Sequence, residues 1–246
     1  VIYAREYDAA ISPNGNIPVH AFNLISPTFF ANSSTGNKYS LWVNVYGVSE
    51  RYLNVYGEKD LRAQMNQFFH RTYTHPVDGT TLDMKMLCNW YWYDETAILE
   101  TGKGTKDWNF YRYAETLLSA AEAIAQSSGV NAEAAGYLAQ VKARANMEGK
   151  DVSTIASELQ RLGKQAFIEE CWKERLREFP LEMKIWDDCV RTGKFPQISA
   201  TNKGEVQFVD LIGATNGSGA KFKETDLYWP IPVNEIQRNP NLTQNE

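Results

Sequence analysis

Histidine and cysteine are scarce in this sequence, with three of each among 246 residues. His70 and His75 are five positions apart, out of register for two ligands on one helix face, so no metal site is predicted. Cys88, Cys171 and Cys189 form no CxxC spacing, and three cysteines cannot all pair. We expect free, mostly buried thiols, while a Cys171–Cys189 bridge stays open if their two helices pack side by side.

Positive charge and long apolar runs are also lacking. Lys and Arg number 25 against 30 Asp and Glu, the net charge is -5, and no basic run exceeds two residues. Nucleic-acid binding requires concentrated Lys and Arg, so the composition opposes that partner. No stretch approaches the roughly 20 apolar residues of a membrane-spanning helix. The opening residues, VIYAREYDAA, have no signal-peptide pattern, so we expect any targeting sequence to have been removed or to lie upstream of Val1.

Sequence patterns of catalysis are missing as well. A glycosidase needs two carboxyl groups about 5–10 Å apart across a cleft. The acidic pairs at 94–95 and 187–188 are adjacent residues whose side chains diverge. Residues 102–105 lack the upstream glycine of a phosphate-binding loop, and no GxSxG turn occurs. We therefore predict a protein that is not an enzyme and has no cofactor and no catalytic residue.

Residue composition and periodicity divide the chain into three regions of one domain that spans residues 1–246. Residues 1–106 mix β-branched and aromatic residues with Pro, Gly and Asn, which predicts irregular chain with a few short strands. Within them we expect a helix over Asp60–Phe69 and a strand over Met84–Thr96. Residues 107–194 have helical periodicity and form the predicted scaffold. Residues 195–246 predict loops and an extended C-terminal tail.

The helical region has clear start and stop signals. The predicted helices run between an Asp107 cap and a Gly129 stop, over Asn131–Glu148, from Ser153 onward with a break at Gly163, and over Pro180–Arg191 before Gly193. Only a few residues join the first two helices, so we expect an antiparallel pair. Small residues such as Ala114, Ala121 and Ala139 let the helix backbones approach closely.

Four stretches in this order resemble the C-terminal region of the SusD/RagB family. They are RYAETLLSAAEA at Arg112–Ala123, LAQVKARA at Leu138–Ala145, ERLREFPLEMKIWDDCVRTG at Glu174–Gly193, and YWPIPVNEIQRNPNLTQN at Tyr228–Asn245. Each is short, but four in the right order and spacing are specific. Met183 and Ile185 stand where many members have Gly and Arg.

The resemblance implies a mainly α, SusD-like fold, here without the family's N-terminal half of tetratricopeptide-type helix pairs. It implies non-catalytic glycan capture at the cell surface, for uptake through a SusC-like TonB-dependent transporter. It also implies that the protein meets the outer membrane only through a lipid anchor on an upstream Cys.

The charged residues of these motifs are predicted to be structural. Arg112, Glu115 and Glu122 lie on one helix, and Glu174, Glu178 and Glu182 recur every four residues, which favours ion pairs within and between helices. Trp172 and Trp186 fall on apolar helix faces and are expected in the core. Tyr228 and Trp229 are expected to hold the tail against the helices.

Aromatic residues suggest where a ligand binds. They make up 13% of the sequence, and 16 of the 31 lie between Tyr39 and Tyr113, where helical packing does not explain them. Sugar rings stack on Trp and Tyr, while nearby polar groups meet their hydroxyls. The candidate glycan-binding residues are Trp42, Tyr46, Trp90, Tyr91, Trp92 and Tyr93. If Asn89–Asp94 is a strand, Trp90 and Trp92 face one side, and Tyr91 and Tyr93 face the other.

Alternatives remain open from the sequence. Each of these rings has core packing as its alternative role. The chain as a whole has two alternatives to glycan capture, which are a structural or protein-interaction module and a peptide- or glycoprotein-binding member of the same family.

Overall fold

The structure is a computed structural model that describes residues 1–8, 10–11, 48–75, 79–91, 93–95, 104–180 and 182–244. At residues 85, 86 and 89 only the backbone is described. Within these ranges the fold is mainly α, as predicted. The helices are α1 (Tyr113–Ser128), α2 (Ala132–Arg144), α3 (Val152–Leu159), α4 (Lys164–Glu178), α5 (Ile185–Thr192) and α6 (Val233–Arg238).

Polar caps and glycines bound several helices of the scaffold, among them the predicted Asn131, Gly163 and Gly193. Asn131 precedes α2, and its Oδ1 accepts the Ala134 N–H at 2.9 Å. Asp151 caps α3 in the same way, with the Thr154 N–H at 2.8 Å. Gly163 lies between α3 and α4 and is the N-cap residue of α4. Gly193 ends α5 in the left-handed conformation at φ 66°.

The main core lies among α1, α2, α3 and α4. Its fully buried residues include Leu118, Ala121, Ala125, Ala135, Leu138, Ala139, Phe167 and Cys171. Alanine at the α1–α2 contact removes side-chain bulk, so the two helices pack closely as an antiparallel pair. All three cysteines are free and buried, so the Cys171–Cys189 bridge does not form.

Six short strands form three antiparallel pairs. They are β1 (Tyr3–Arg5) with β4 (Trp108–Tyr111), β2 (Phe69–Thr74) with β3 (Thr81–Asn89), and β5 (Lys194–Ile198) with β6 (Val206–Asp210). A second core joins the β2–β3 hairpin to α4 and β6 through Tyr56, Phe69, Leu87, Leu176 and Val206. The hairpin is thereby fixed against the helical scaffold.

Several predicted boundaries before α1 were wrong. The helix expected over Asp60–Phe69 is only a 3-10 turn at Leu61–Ala63, and Phe69 begins β2. The strand expected to run from Met84 to Thr96 stops at Asn89. Asp107 does not cap α1, because its Oδ1 accepts the Tyr7 N–H at 3.0 Å and the next residues pair with β1.

The later part of the chain also differs from expectation. The helix predicted from Pro180 begins only at Ile185, because Met183 has a left-handed φ of 58° that breaks helical continuity. The region from residue 195, predicted as loops, contains most of the β5–β6 hairpin, which begins at Lys194 and ends at Asp210. Pro196 is tolerated there because β5 has a single partner strand.

Of the predictions made for four aromatic residues in the C-terminal part of the chain, one is confirmed and three are wrong. Trp172 packs against the main core, but Trp186 lies at the surface. Trp229 is 91% exposed and Tyr228 is also exposed, so neither ring holds the tail by burial. The tail is closed on itself instead, since Gln244 exchanges two hydrogen bonds with the backbone of Ile231.

Candidate ligand-binding site

An ion-pair network forms the floor of the candidate site. The carboxylate of Glu178, on α4, lies between three guanidinium groups from different parts of the chain. Arg62 approaches at 3.0 Å, Arg112 at 3.1 Å, and Arg144 forms a third close ion pair. Because Glu178 is buried, the three arginines replace the water that would otherwise solvate its charge.

Each of the two inner arginines is also held from a second side. Arg62 binds Asp60 through Nε and Nη2 and Glu174 through Nη1 at 2.8 Å. Arg112 precedes α1 and binds both oxygens of Glu182, at 2.6 and 2.8 Å. These bidentate contacts fix the planes of both guanidinium groups. The prediction that the motif charges form helix-to-helix ion pairs is confirmed.

A cleft opens beside this network. Its volume is about 260 Å³, and the described residues that line it are Leu61, Arg62, Gln67, Phe68, Tyr91, Arg112, Arg144, Ala145 and Glu178. One wall comes from the segment before β2 and the turn after β3, and the opposite wall comes from the helices. The cleft therefore joins aromatic rings to fixed polar groups, as ligand sites do.

Tyr91 is held at the cleft by Lys106, whose own position is fixed by Asp94. The Asp94 carboxylate accepts hydrogen bonds from Thr105 N at 2.6 Å, Thr105 Oγ1 at 3.1 Å and Lys106 N at 3.2 Å. The Lys106 amine bonds the Tyr91 carbonyl and lies 5.1 Å from the centre of its ring. Burial raises the pKa of the Tyr91 phenol, so this hydroxyl stays protonated at neutral pH.

Trp90 is the centre of a ring stack beside the cleft. The His70 ring lies 3.9 Å from it, inclined by 10°, and the Tyr93 ring lies 4.8 Å from it, inclined by 15°. Two rings at these separations do not fit side by side over one face of an indole, so His70 and Tyr93 cover opposite faces. Both π faces of Trp90 are therefore occupied by the protein itself.

The backbone explains this stack. Since β3 ends at Asn89, the next residues form a turn in which the Tyr93 N–H bonds the Trp90 carbonyl at 3.1 Å. A turn brings residues i and i+3 together, whereas a strand would separate them. Asn89–Asp94 is therefore not a strand, and its side chains do not alternate between two faces. Trp90 and Tyr93 instead lie on the same side.

The six predicted ligand residues divide into two groups. Trp42, Tyr46 and Trp92 lie outside the described residues. Trp90, Tyr91 and Tyr93 lie together, partly exposed, but only Tyr91 lines the cleft. Sequence reasoning missed His70 in the stack, and Gln67 and Arg144 at the cleft. The resemblance had marked Arg144 only as part of a motif, and His70 had no sequence signal beyond its place near other aromatic residues.

Other ligand types find little support in the described part of the chain. No group of three or more His, Cys, Asp or Glu side chains that could hold a metal ion occurs there. Among the described helices, none combines the length and apolar character that crossing a membrane requires.

Comparison with known proteins gives consistent results. The SusD family model matches residues 32–246. The starch-binding protein SusD of Bacteroides thetaiotaomicron is 35% identical over 136 residues, which are 55% of this chain and 20% of that protein. A solved SusD superfamily protein from Parabacteroides distasonis superposes with a TM-score of 0.80 at 28% identity, covering 100% of this chain and 49% of that one.

Two further solved structures share the fold. A SusD superfamily protein from Bacteroides fragilis matches with a TM-score of 0.60 at 19% identity, covering 99% of this chain and 50% of its own. The surface glycan-binding protein A from Bacteroides uniformis matches with a TM-score of 0.59 at 21% identity, with coverages of 99% and 48%. The chain thus spans about half the length of these solved relatives.

Proposed function

Because this chain belongs to the SusD family, we propose that it binds glycans and catalyses no reaction on them. The proposed site is the cleft lined by Tyr91. The observation that carries the proposal is the presence in one cleft of aromatic rings, Tyr91 and Phe68, with the amide of Gln67 and the fixed guanidinium of Arg112. Aromatic rings stack on the C–H faces of sugars, and rigid polar groups bond sugar hydroxyls.

The size of the cleft limits what it holds. A volume of about 260 Å³ lies just below the roughly 300 Å³ at which pockets for small ligands begin. We therefore expect the cleft to hold one part of a longer oligosaccharide, with the rest of the chain running over the neighbouring surface.

The six aromatic candidates have different roles in this proposal. Tyr91 contacts the sugar, while Trp90 and Tyr93 stabilise the turn that presents Tyr91. Trp42, Tyr46 and Trp92 are proposed as further contacts.

The proposal that the protein is not an enzyme is supported by the ion pairs of Glu178, the carboxylate that lines the cleft. Both oxygens of Glu178 are occupied by guanidinium groups, which leaves none open to a glycosidic bond or a water molecule. A glycosidase needs a second carboxyl group across the cleft, and none occurs among the described lining residues.

The cellular setting is proposed from the family alone. The glycan is captured at the outer surface of the outer membrane by a protein held there through an upstream lipid anchor. It is then passed to a SusC-like TonB-dependent transporter. Co-purification of such a transporter with the membrane-anchored protein tests this step.

The proposal is tested by calorimetry or affinity electrophoresis against a panel of polysaccharides. We expect Tyr91→Ala to weaken binding about tenfold or more, equivalent to about 1.4 kcal/mol. Trp90→Ala and Trp92→Ala are measured in parallel. Trp229→Ala is the matched control, because this ring is exposed and lies outside the cleft.

Two results would contradict the proposal in different ways. Binding to no glycan, with binding of peptides or another protein instead, would favour the interaction-module or peptide-binding alternatives. Glycan binding that is unchanged in Tyr91→Ala and in both Trp variants would keep the function and reject the site.

A further inference from the structure

Arg144 differs from the other two arginines at the cleft. Its side chain is 58% exposed, whereas those of Arg62 and Arg112 are mostly covered. Within the described residues its partner is Glu178, which it reaches through Nη2 alone. Its Nε and Nη1 donors therefore remain available at the mouth of the cleft.

The charges around the cleft are distributed unevenly. Its described lining residues include three guanidinium groups and one carboxylate, that of Glu178. Asp60 and Glu174, which also neutralise Arg62, line a separate cavity of about 470 Å³ on the other side of this arginine. The Glu182 carboxylate binds Arg112 and hydrogen-bonds the Tyr91 hydroxyl without lining the cleft itself. Among the described lining residues, guanidinium groups therefore outnumber carboxylates by three to one.

The net charge of the protein does not cancel this local effect. At physiological ionic strength, charges separated by more than about 8 Å are largely screened in solvent. The -5 charge of the whole chain is spread over its surface, while the guanidinium of Arg144 would touch a bound group directly. A direct ion pair with this guanidinium therefore outweighs the distant repulsion.

We propose that the glycan of this cleft is acidic, and that its carboxylate or sulfate group binds the exposed guanidinium of Arg144 through donors that Glu178 leaves open. The inference rests on the proposed function and names the class of sugar. The guanidinium is always charged, so it forms an ion pair with an ionised carboxylate or sulfate, whereas a neutral hydroxyl offers only a hydrogen bond. Tyr91 and Gln67 contact the same sugar unit or its neighbour.

The first test compares ligands that differ only in charge. Polygalacturonate fragments are compared with their methyl esters, and sulfated dextran with plain dextran, by calorimetry with the wild-type protein. We expect one charged member to bind about tenfold more tightly than its neutral counterpart, and the pair that responds distinguishes carboxylate from sulfate. Raising NaCl from about 0.05 M to about 0.5 M should reduce this difference.

The second test removes the proposed contact. In Arg144→Gln the charged and neutral ligands should bind with similar affinity, while Arg144→Lys should keep part of the preference because it keeps the charge. Arg161→Gln is the matched control, since Arg161 is also exposed and does not line the cleft. Thermal unfolding of each variant checks that it is folded.

The outcomes separate this inference from the proposed function. Equal affinity of the wild type for charged and neutral members, or a preference that survives Arg144→Gln, would overturn the inference. Tyr91-dependent binding of neutral glycans alone would do the same while leaving the proposed function intact. Binding of acidic peptides, with no glycan bound at all, would overturn both.

Discussion

The indole of Trp90 lies face to face with the imidazole of His70, with ring centroids 3.9 Å apart. His70 is in β2, opposite Cys88 of β3, and Trp90 follows the end of β3. The hairpin therefore brings together two rings that are 20 positions apart and holds them beside the candidate site. Burial in this stack lowers the pKa of His70.

We expect His70 to titrate below its usual value of about 6.5. Since the folded state prefers the neutral imidazole, the unfolded chain binds protons more readily, and stability should fall as the pH drops through and below about 6.5. Observation of the imidazole resonances by NMR across this range measures the pKa. In Trp90→Ala the imidazole becomes more exposed, and its pKa should rise towards 6.5. A pKa of 6.5 or above in the wild type would contradict the stack.

Arg112→Met should destabilise the fold strongly. The change leaves buried Glu182 without its bidentate partner and removes one of the three cations at Glu178. Loss of one member of a buried ion pair costs about 3–5 kcal/mol. Denaturant unfolding measures this loss, with Arg238→Met as the control, because Arg238 is exposed and its ion-pair partner among the described residues is Glu235 of the same helix, α6. Equal effects of the two changes would show that the network contributes little.

Met183→Gly should stabilise the protein. Met183 has a left-handed φ of 58° and an exposed side chain, so it bears backbone strain without gaining burial. A left-handed conformation costs a residue with a Cβ about 1–2 kcal/mol. The greater flexibility of Gly in the unfolded chain offsets part of the gain, so we expect about 0.5–1 kcal/mol of added stability.

The converse change provides the comparison for this prediction. Gly193→Ala introduces a Cβ at φ 66°, and it should destabilise by about 1 kcal/mol. Both variants are compared with the wild type by thermal unfolding. A lower melting temperature for Met183→Gly would reject strain at this position.

Acid unfolding should depend on Glu170. Burial acts to raise its pKa, but Lys142 and Arg177 outweigh burial and hold the pKa at about 2. The pKa of Glu174 is lowered as well, since Arg62, Lys142 and Arg177 outweigh its burial. A lowered pKa in the folded state gives stability that is complete above the unfolded value of about 4.5 and is lost as the pH falls towards 2.

The measurement is denaturant unfolding between about pH 7 and about pH 2. Glu170→Gln should lower stability at neutral pH and make the remaining stability less dependent on pH in the acid range. Glu169→Gln is the neighbouring control, because the hydrogen bond of Glu169 within the described part of the chain goes to the exposed Gln165 of α4. An unchanged acid profile in Glu170→Gln would contradict the assignment.

The sequence located the helices of the scaffold because their signals are local. Asn131, Gly163 and Gly193 mark helix boundaries through signals that act on residues a few positions away, and these predictions were confirmed. The four short motifs also identified the family, which the comparisons support. The exchange of Met for the family's Gly at position 183 coincides with a left-handed backbone conformation.

Strand pairings were not predicted from the sequence. β1 and β4 are separated by about a hundred residues. Because they pair, the residues after Asp107 form a strand, and α1 begins at Tyr113 instead of directly after the predicted Asp107 cap. Apolar alternation in so few residues does not distinguish a short strand from a loop. The β5–β6 hairpin was not predicted because its strands are equally short.

The sequence by itself determined the helical scaffold, its charged motifs and the region richest in aromatic residues. Tertiary structure alone decided that Arg62, Arg112 and Arg144 converge on Glu178, that Tyr91 lines the cleft, and that Trp90 is enclosed by His70 and Tyr93. Helix signals act over one or two turns, whereas a binding cleft depends on where a strand stops and which distant segments its neighbouring turn then meets.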